Sequence, residues 1–598
     1  MMKQRTFLIL LLLLILLSLI GCGGSSGGGS ASISGQVADF SYNNLEGVKI
    51  DVGGKATAIT DYWGEFQTGT FPLGTYKMSF TKDGYWTRSF DVTFSQAGNY
   101  GFTDKIRLNK VTDQLGAVEE PSFIRDLSST EKQLTINANN QVQTLIALLY
   151  NTNSSQSDEQ THINISTDTG SSFSATLTNN QNFSASGYVQ TDPYQRLREF
   201  DRKINQEMKN KGTKPGKKPP TFSAMHAEPQ LRFYKFNFDY NNTLSRVTAN
   251  KKYDGEHCLI YLDNRQNISD SDIRQLGETF DGFYDRMITY FGDLTIDIDQ
   301  YPKIYILLSE LYHNKDGMIL GYFSNINEYP KSEQPYSNEK EMLYLTTYTY
   351  NSNPQAWLNM IKSTAAHEFQ HLINYSCRWE NVANFDDYYD LFPTWINEGL
   401  SMVAEDIAIA GAEYRHNPEL DIRVNTYLKY HLYDSLQAWN GDGLDYGSAY
   451  MFMRYFADRC GEDKLRVLNT SSDPYINDYD LASIAGASNF EVLFRDWLTA
   501  VILDASGYTT SDPDLADKYL YKTLDLSTYD FPKESQGYIN MSTGAGAFIV
   551  MPNLESVNRI DLAYNCYSSY NTKLRLIMLP VSGESFSAST IPKIIRLR

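Results

Sequence analysis

Cysteine is scarce in this sequence. Its 598 residues contain five, Cys22, Cys258, Cys377, Cys460 and Cys566, spaced too widely for a zinc knuckle or a Cys-x-x-Cys redox pair. The four beyond Cys22 permit two disulfides in an exported chain and equally permit unpaired buried thiols; the spacing favours neither. Positive charge is also in short supply. Lys and Arg number 52 against 71 Asp and Glu, a formal net charge of −19, so nucleic acid is not expected as a partner. No P-loop, nucleophile elbow or internal repeat occurs, which removes the common nucleotide-binding, serine-hydrolase and solenoid readings.

What is present begins with an apolar run, Phe7 to Ile20, behind Lys3 and Arg5. The run is short for a membrane span. It ends at Leu19-Ile20-Gly21-Cys22, which resembles a bacterial lipobox. We therefore expect a lipoprotein signal over 1–22, lipidation of Cys22 and a flexible Gly/Ser tether over 23–32. The mature chain would sit in the bacterial cell envelope, held to a membrane by its lipid and exposed outside the cytoplasm. By analogy with such lipoproteins, Gly23 in place of Asp after the cysteine favours the outer membrane in a two-membrane bacterium; the outer membrane or cell surface is the expected location.

One stretch states a chemistry: His367-Glu368-Phe369-Gln370-His371, followed by Trp395-Ile396-Asn397-Glu398-Gly399. Leu358, Ile361, Ala365, Phe369 and Leu372 recur at three- and four-residue spacing, predicting a helix with one buried face. His367 and His371, one turn apart, then share the opposite face and can reach one metal ion. A catalytic zinc site takes three protein ligands and an open position, and Glu398, early in a second helix starting near Pro393-Thr394, is the candidate third ligand. Glu368 stands beside them as base. Glu405, seven residues after Glu398, falls on nearly the same face and could hydrogen-bond a ligating imidazole. Attack on a peptide carbonyl creates an oxyanion that a phenol or imidazole can stabilise, and Tyr446, Tyr450 and His431 further along are candidates for that donor.

HEFQH followed by WINEGLSMVAED resembles the gluzincin class of zinc peptidases. Within that class the wording, including GYFSNIN at 321–327 and EMLYL at 341–345, resembles the hyicolysin family over roughly 230–505. The resemblance implies one zinc ion held by His367, His371 and Glu398, with Glu368 as catalytic base. Gluzincin aminopeptidases usually carry an upstream GxMEN segment that grips the substrate amine; none is present here, which favours an endopeptidase. The alternatives are an aminopeptidase and a catalytically silent surface adhesin. The partners expected are protein or peptide substrates.

The fold class expected is multidomain: an α+β zincin-type core preceded by β-sandwich domains and followed by a small β-rich domain. Residues 33–112 alternate apolar and polar residues between close turns. Gly35-x-Val37, Asp61-x-x-Gly64-x-Phe66 and Gly74-x-Tyr76 resemble carboxypeptidase regulatory-like modules. No cluster of exposed aromatics stands out there, so a folded stalk is preferred over a binding module. A β-rich domain is expected over 120–190. Residues 191–229 read as a helix running into a Lys/Gly/Pro linker, taken as a hinge in preference to a cleavage site separating a β-rich leader. The peptidase domain is assigned to 230–508. Within it the Glu341–Thr347 strand is the candidate edge beside the active-site helix, with a buried central strand as the alternative. A C-terminal β-rich domain follows over 509–598.

Overall fold

The structure, a computed structural model, describes residues 30–581 with interruptions, the longer ones at 109–117, 179–192, 217–227, 383–392 and 530–543. The signal segment, Cys22 and residues 23–29 lie outside the described residues. Residues 30–32, read above as tether, begin the strand Ser30–Asp39, and Ala31 and Ile33 are buried there.

That strand pairs with Glu65–Gln67, Phe71–Pro72, Gly98–Gly101 and Ile106–Leu108. A second sheet runs Ala56–Ile59, Lys49–Val52, Gly74–Thr81, Arg88–Phe94. Val48, Ile50, Phe66, Phe71 and Phe80 fill the core of this unit. Gly64 sits at φ +74°, where a Cβ would lie 2.3 Å from the Val37 carbonyl oxygen, so its turn requires glycine. Beside it Ile59, Tyr62 and Trp63 are exposed, with the two rings edge to face at 5.8 Å. This corrects the expectation of no exposed aromatic cluster: strand alternation does not reveal which way a turn residue faces.

The central unit is built on a mixed sheet. Its strands are β1 (Gln230–Phe236), β2 (Leu244–Asp254), β3 (Cys258–Asp263), β4 (Ile304–Ser309), β5 (Gly321–Phe323) and β6 (Met342–Thr346), arranged β1-β2-β3-β4-β6-β5. The parallel strands β3, β4 and β6 are buried throughout, as their continuous apolar sequences require. β6 therefore lies inside the sheet, and the expectation that Glu341–Thr347 forms the edge is corrected. The edge is β5, antiparallel to β6 with Gly321 opposite Leu345 and Phe323 opposite Leu343. Three residues are too few to show a period-2 pattern in the sequence.

The helices used below are α1 (Pro193–Asn210), α2 (Asp270–Phe291), α3 (Pro354–Val382), α4 (Thr394–Ile409), α5 (Asp421–Tyr430), α6 (Gly443–Cys460) and α7 (Phe490–Ala505). Helix α2 starts at Ser269, whose hydroxyl accepts the Asp272 amide at 3.1 Å. It packs on α3 through Phe280 and Phe369, ring centres 5.1 Å apart. Cys258, Cys377 and Cys460 are free thiols, so the two-disulfide alternative fails.

Two domain assignments change. Strands from 120–190 and from the C-terminal region form one β-sandwich. One sheet runs Val118–Glu119, Gln133–Asn137, Arg559–Cys566, Gln160–Thr167, Ser172–Thr178; the other runs Ile124–Leu127, Lys573–Pro580, Val142–Tyr150, Gly546–Met551. Each half has an apolar face that only the other covers. Residues 513–519, expected in strands, form a short helix. The second change concerns α1, which docks on the central unit. Leu197 is buried with Phe233 and Phe236, and Asp201 accepts the Ser324 hydroxyl at 2.6 Å. Residues 217–227 of the expected linker lie outside the described residues.

The sandwich is locked to the central unit at Arg575. Its guanidinium donates to Asp126 at 2.7 Å, Asp496 at 3.2 Å and Thr499 at 3.0 Å, the last two on α7. Removing one member of a buried charged set leaves the others uncompensated. Arg575→Ala should therefore destabilise the protein by about 3 kcal/mol, the low end of the range for a broken buried pair, because Arg459 keeps its own contact with Asp496 at 3.1 Å. Urea denaturation followed by tryptophan fluorescence measures this. A midpoint equal to wild type would contradict the assigned role.

Candidate functional site

Helix α3 buries Leu358, Ile361, Ala365, Phe369 and Leu372, each no more than 1% exposed, against the sheet and α2. This burial turns His367 and His371 to the other side. β5 crosses close above them. A Cβ on Gly321 would stand 2.7 Å from Thr364 Cγ2 and 3.0 Å from Glu368 Cγ. That approach lets the Phe323 amide donate to Glu368 Oε2 at 3.0 Å, fixing the carboxylate.

Helix α4 brings Glu398 to the histidines. Its Oε2 lies 3.3 Å from His367 Nε2 and 3.7 Å from His371 Nε2. One donor atom from each of the three residues lies within 4.8 Å of the others. Gly399 sets the helix position, since a Cβ there would lie 2.5 Å from Met453 Cγ and 2.8 Å from the Ala449 carbonyl oxygen on α6. One turn further along α4, Ser401 Oγ is 3.1 Å from His371 Nδ1, and Asn397 Oδ1 is 3.4 Å from the same nitrogen. After two turns, Glu405 Oε1 accepts from His367 Nδ1 at 2.9 Å while its other oxygen accepts from Ser363. The Nδ1 partners leave each Nε2 directed toward Glu398.

Burial opposes charge on Glu398, His367 and Glu368, and pairing overcomes it in the first two. Glu398 is buried, yet the adjacent His371 and His367 hold its carboxyl well below the usual range. Burial lowers the proton affinity of His367, but hydrogen bonds to Glu398 and Glu405 raise it to about 10. Burial and the charge of Glu398 raise Glu368, against the opposing effect of the two histidines. Three buried carboxylates face two imidazoles, with the Arg198 guanidinium beside Glu398. Two imidazole nitrogens and one carboxylate, with a second carboxylate orienting one imidazole, make a donor set suited to a zinc-class ion with an open coordination position.

These groups line a cleft of about 530 Å³ together with Tyr194, Arg198, Phe323, Asn325, Tyr375 and Tyr446. Tyr446 is thus on the cleft wall, its ring covered by the Arg423 guanidinium at 4.7 Å. The two alternatives to it are elsewhere. Tyr450 is fully buried and donates to Asp406 at 2.7 Å. His431 is buried with Nδ1 2.9 Å from the Leu428 carbonyl oxygen, and burial depresses its pKa to about 4. Sequence reasoning missed Asn397 and Ser401, although Ser401 shares the face of Glu398 and Glu405 at helical spacing. It also missed Arg198, whose Nη1 lies 3.8 Å from Glu398 Oε1. No local pattern links residues that far apart.

Residues 288–450 match the family model described as Peptidase M30. The matched segment contains His367, Glu368, His371 and Glu398, so the part of the chain that carries the site is similar to a peptidase family. No curated protein compared with the chain matches it. Among solved structures, a type II cohesin–X-dockerin complex from Acetivibrio cellulolyticus is 21% identical over 13% of this chain and 56% of its own, with a TM-score of 0.12. A streptococcal ancillary pilin is 16% identical over 21% of this chain and 42% of its own, TM-score 0.12. A DUF3823 family protein from Parabacteroides merdae is 14% identical over 25% and 81%, TM-score 0.11. The chain thus spans about half the length of the first of these, and likenesses so partial carry no argument about activity.

The electrostatics of the metal-free site are testable. A histidine whose folded pKa exceeds its ordinary 6.5 adds stability below that value and loses it as pH rises through about 10. At pH 8 the metal-free protein should therefore hold a proton on His367 that a metal ion must displace. Zinc titration by calorimetry in buffers of differing ionisation enthalpy should report release of about one proton. Glu405→Gln should reduce that number. Proton release of zero in the wild type would refute the protonated His367–Glu398 pair.

Proposed function

We propose that this protein is a zinc-dependent endopeptidase acting on extended peptide segments. The observation carrying this reading is the convergence of His367, His371 and Glu398 in one open cleft with Glu368 fixed by an edge-strand amide. His367, His371 and Glu398 would hold the zinc ion. When bound, the ion supplies Lewis acidity that activates a water and polarises the scissile carbonyl.

The remaining chemistry falls to the chain's own groups. The substrate lies along β5, the strand at the end of the sheet whose Tyr322 and Phe323 line the cleft. Glu368, with its proton affinity raised by burial, takes the proton of the attacking water and passes it to the amine nitrogen as the C–N bond breaks. The Tyr446 hydroxyl donates to the developing oxyanion. Glu405, Ser401 and Asn397 hold the imidazole rings in orientation.

Glu368→Ala should retain zinc and fold yet lose hydrolysis by several orders of magnitude, while His371→Ala should lose zinc itself. Tyr446→Phe should cost on the order of 10²-fold in kcat, with little change in zinc content. The assay pairs casein with a peptide blocked at both ends, which an aminopeptidase cannot cut. Cleavage of free-amine peptides alone would favour the aminopeptidase reading. Equal rates for Glu368→Ala and wild type would exclude this mechanism, and a zinc-loaded wild type inert on every substrate would favour the adhesin.

The location proposed is the bacterial cell envelope, through lipid on Cys22. Among the described residues no helix is long and apolar enough to cross a membrane. The proposal rests on the lipobox-like Leu19-Ile20-Gly21-Cys22. Mass spectrometry of the wild type should find an acylated N-terminal Cys22, and Cys22→Ser should leave an unlipidated precursor. An intact Met1 on the wild-type protein would refute it.

A further inference from the structure

A chain of hydrogen bonds reaches His367 from outside the cleft. Ser363 stands one turn before His367 on α3, on the same side of the helix. Its hydroxyl donates to Glu405 Oε2, while Glu405 Oε1 lies 2.9 Å from His367 Nδ1. A hydroxyl has one hydrogen, so any further bond to Ser363 must come from a donor. Asn417 supplies it, with Nδ2 2.8 Å from Ser363 Oγ.

The end of the Asn417 amide that faces Ser363 is fixed by what the other end does. Asn417 precedes the 3-10 turn Pro418–Leu420, and its Oδ1 accepts the Glu419 amide at 3.1 Å. Nδ2 is thereby left for Ser363. The Asn417 backbone is held as well, because its N–H donates to Asp406 Oδ1 at 2.7 Å. Asp406 follows Glu405 on α4, and its Oδ2 accepts the Tyr450 hydroxyl at 2.7 Å, with Arg454 Nη1 3.9 Å away. Asn417, Ser363, Asp406, Tyr450 and Arg454 are all buried, and in such surroundings each of these bonds counts for more than it would in water.

The direction of the chain has a chemical consequence. The Asn417 amide can only give a hydrogen to Ser363, Ser363 gives its own to Glu405, and Glu405 accepts on both oxygens. The His367 nitrogen facing it is then the donor, which leaves Nε2 for a metal ion. A carboxylate gripped on one oxygen alone would be free to turn and to carry the imidazole plane with it; the second grip removes that freedom. We propose that Asn417 is a positioning residue. Acting through Ser363 and Glu405, it sets the tautomer and ring orientation of His367, and with them the affinity of the cleft for zinc. The proposal rests on His367 being a zinc ligand, and it gives Asp406 and Tyr450 the task of holding Asn417 in place.

The test measures zinc affinity of the full mature chain by competition with a chromogenic chelator, so it needs no peptide hydrolysis. Ser363→Ala places a strong helix former within α3 and should fold. It should weaken zinc about tenfold, the low end for loss of an outer partner of a ligand. Asn417→Asp keeps the shape and still accepts the Glu419 amide but offers Ser363 no N–H, and a similar loss is expected. Melting temperatures of the metal-free variants check that both are folded. A double-mutant cycle separates positioning from a merely structural role. In a Glu405→Ala background, Ser363→Ala should change zinc affinity by less than about twofold, because the group it acts through is gone. Combined with Ser401→Ala, which alters the partner of His371 instead, its loss should persist in full. Wild-type zinc affinity in both single variants would overturn the proposal, as would an undiminished loss in the Glu405→Ala background. A wild-type chain that binds no zinc would defeat the ligand assignment itself, whereas zinc held equally by wild type and both variants defeats this proposal alone.

Discussion

The cleft depends on holding Glu398 between two imidazoles that belong to another helix. His367 Nε2 and Glu398 Oε2 are 3.3 Å apart although they stand 31 residues apart on two helices. Helix packing must supply the closeness, and Gly399 permits it by letting α4 touch the Ala449 carbonyl of α6. Charge supplies the rest. Glu398, Glu405 and Glu368 are all removed from water, with the two histidines and Arg198 among them. A metal ion entering this site would displace the proton on His367.

The wall facing these helices comes from distant parts of the chain. Between Gly321 and Glu328 the backbone fixes the Glu368 carboxylate through Phe323 and lines the cleft with Asn325. It receives α1 through Ser324 and ends at the fully buried Glu328. Eight consecutive residues thus touch the proposed base and a helix more than one hundred residues earlier. Small displacements of such a segment cannot be absorbed locally, because Gly321 leaves no slack above Thr364.

The sequence made the two site helices legible because their chemistry and periodicity coincide. His367 and His371 stand opposite the Leu358–Leu372 stripe, and Glu405 repeats the face of Glu398 two turns on. The strands β3, β4 and β6 were also readable, as continuous apolar runs between turn residues. Three features were not. The edge strand β5 is too short to carry a pattern, so its neighbour β6 took its place. Tyr446, Tyr450 and His431 could not be ranked without knowing which helix face meets the cleft. The β-sandwich was read as two domains because strand signals are local, whereas pairing such as Leu145 with Met551 is decided by a shared core.

That pairing changes the meaning of the Lys/Gly/Pro stretch after α1. If the β-rich residues before it were a separate leader, a cut there would release them from the peptidase unit. Val142–Tyr150 instead lies between Gly546–Met551 and Lys573–Pro580, and Ile124–Leu127 pairs with the latter strand from the other side. Ile146, Leu148 and Tyr150 also face the core shared with the central unit. α1, on the near side of the same stretch, remains packed on β1 and on the turn after β5. A nick at this place would therefore leave both pieces joined by strand pairing, apolar burial and the Arg575–Asp126 contact. Separation would require unfolding the sandwich, so the β-rich residues before this stretch are not a detachable leader of the central unit.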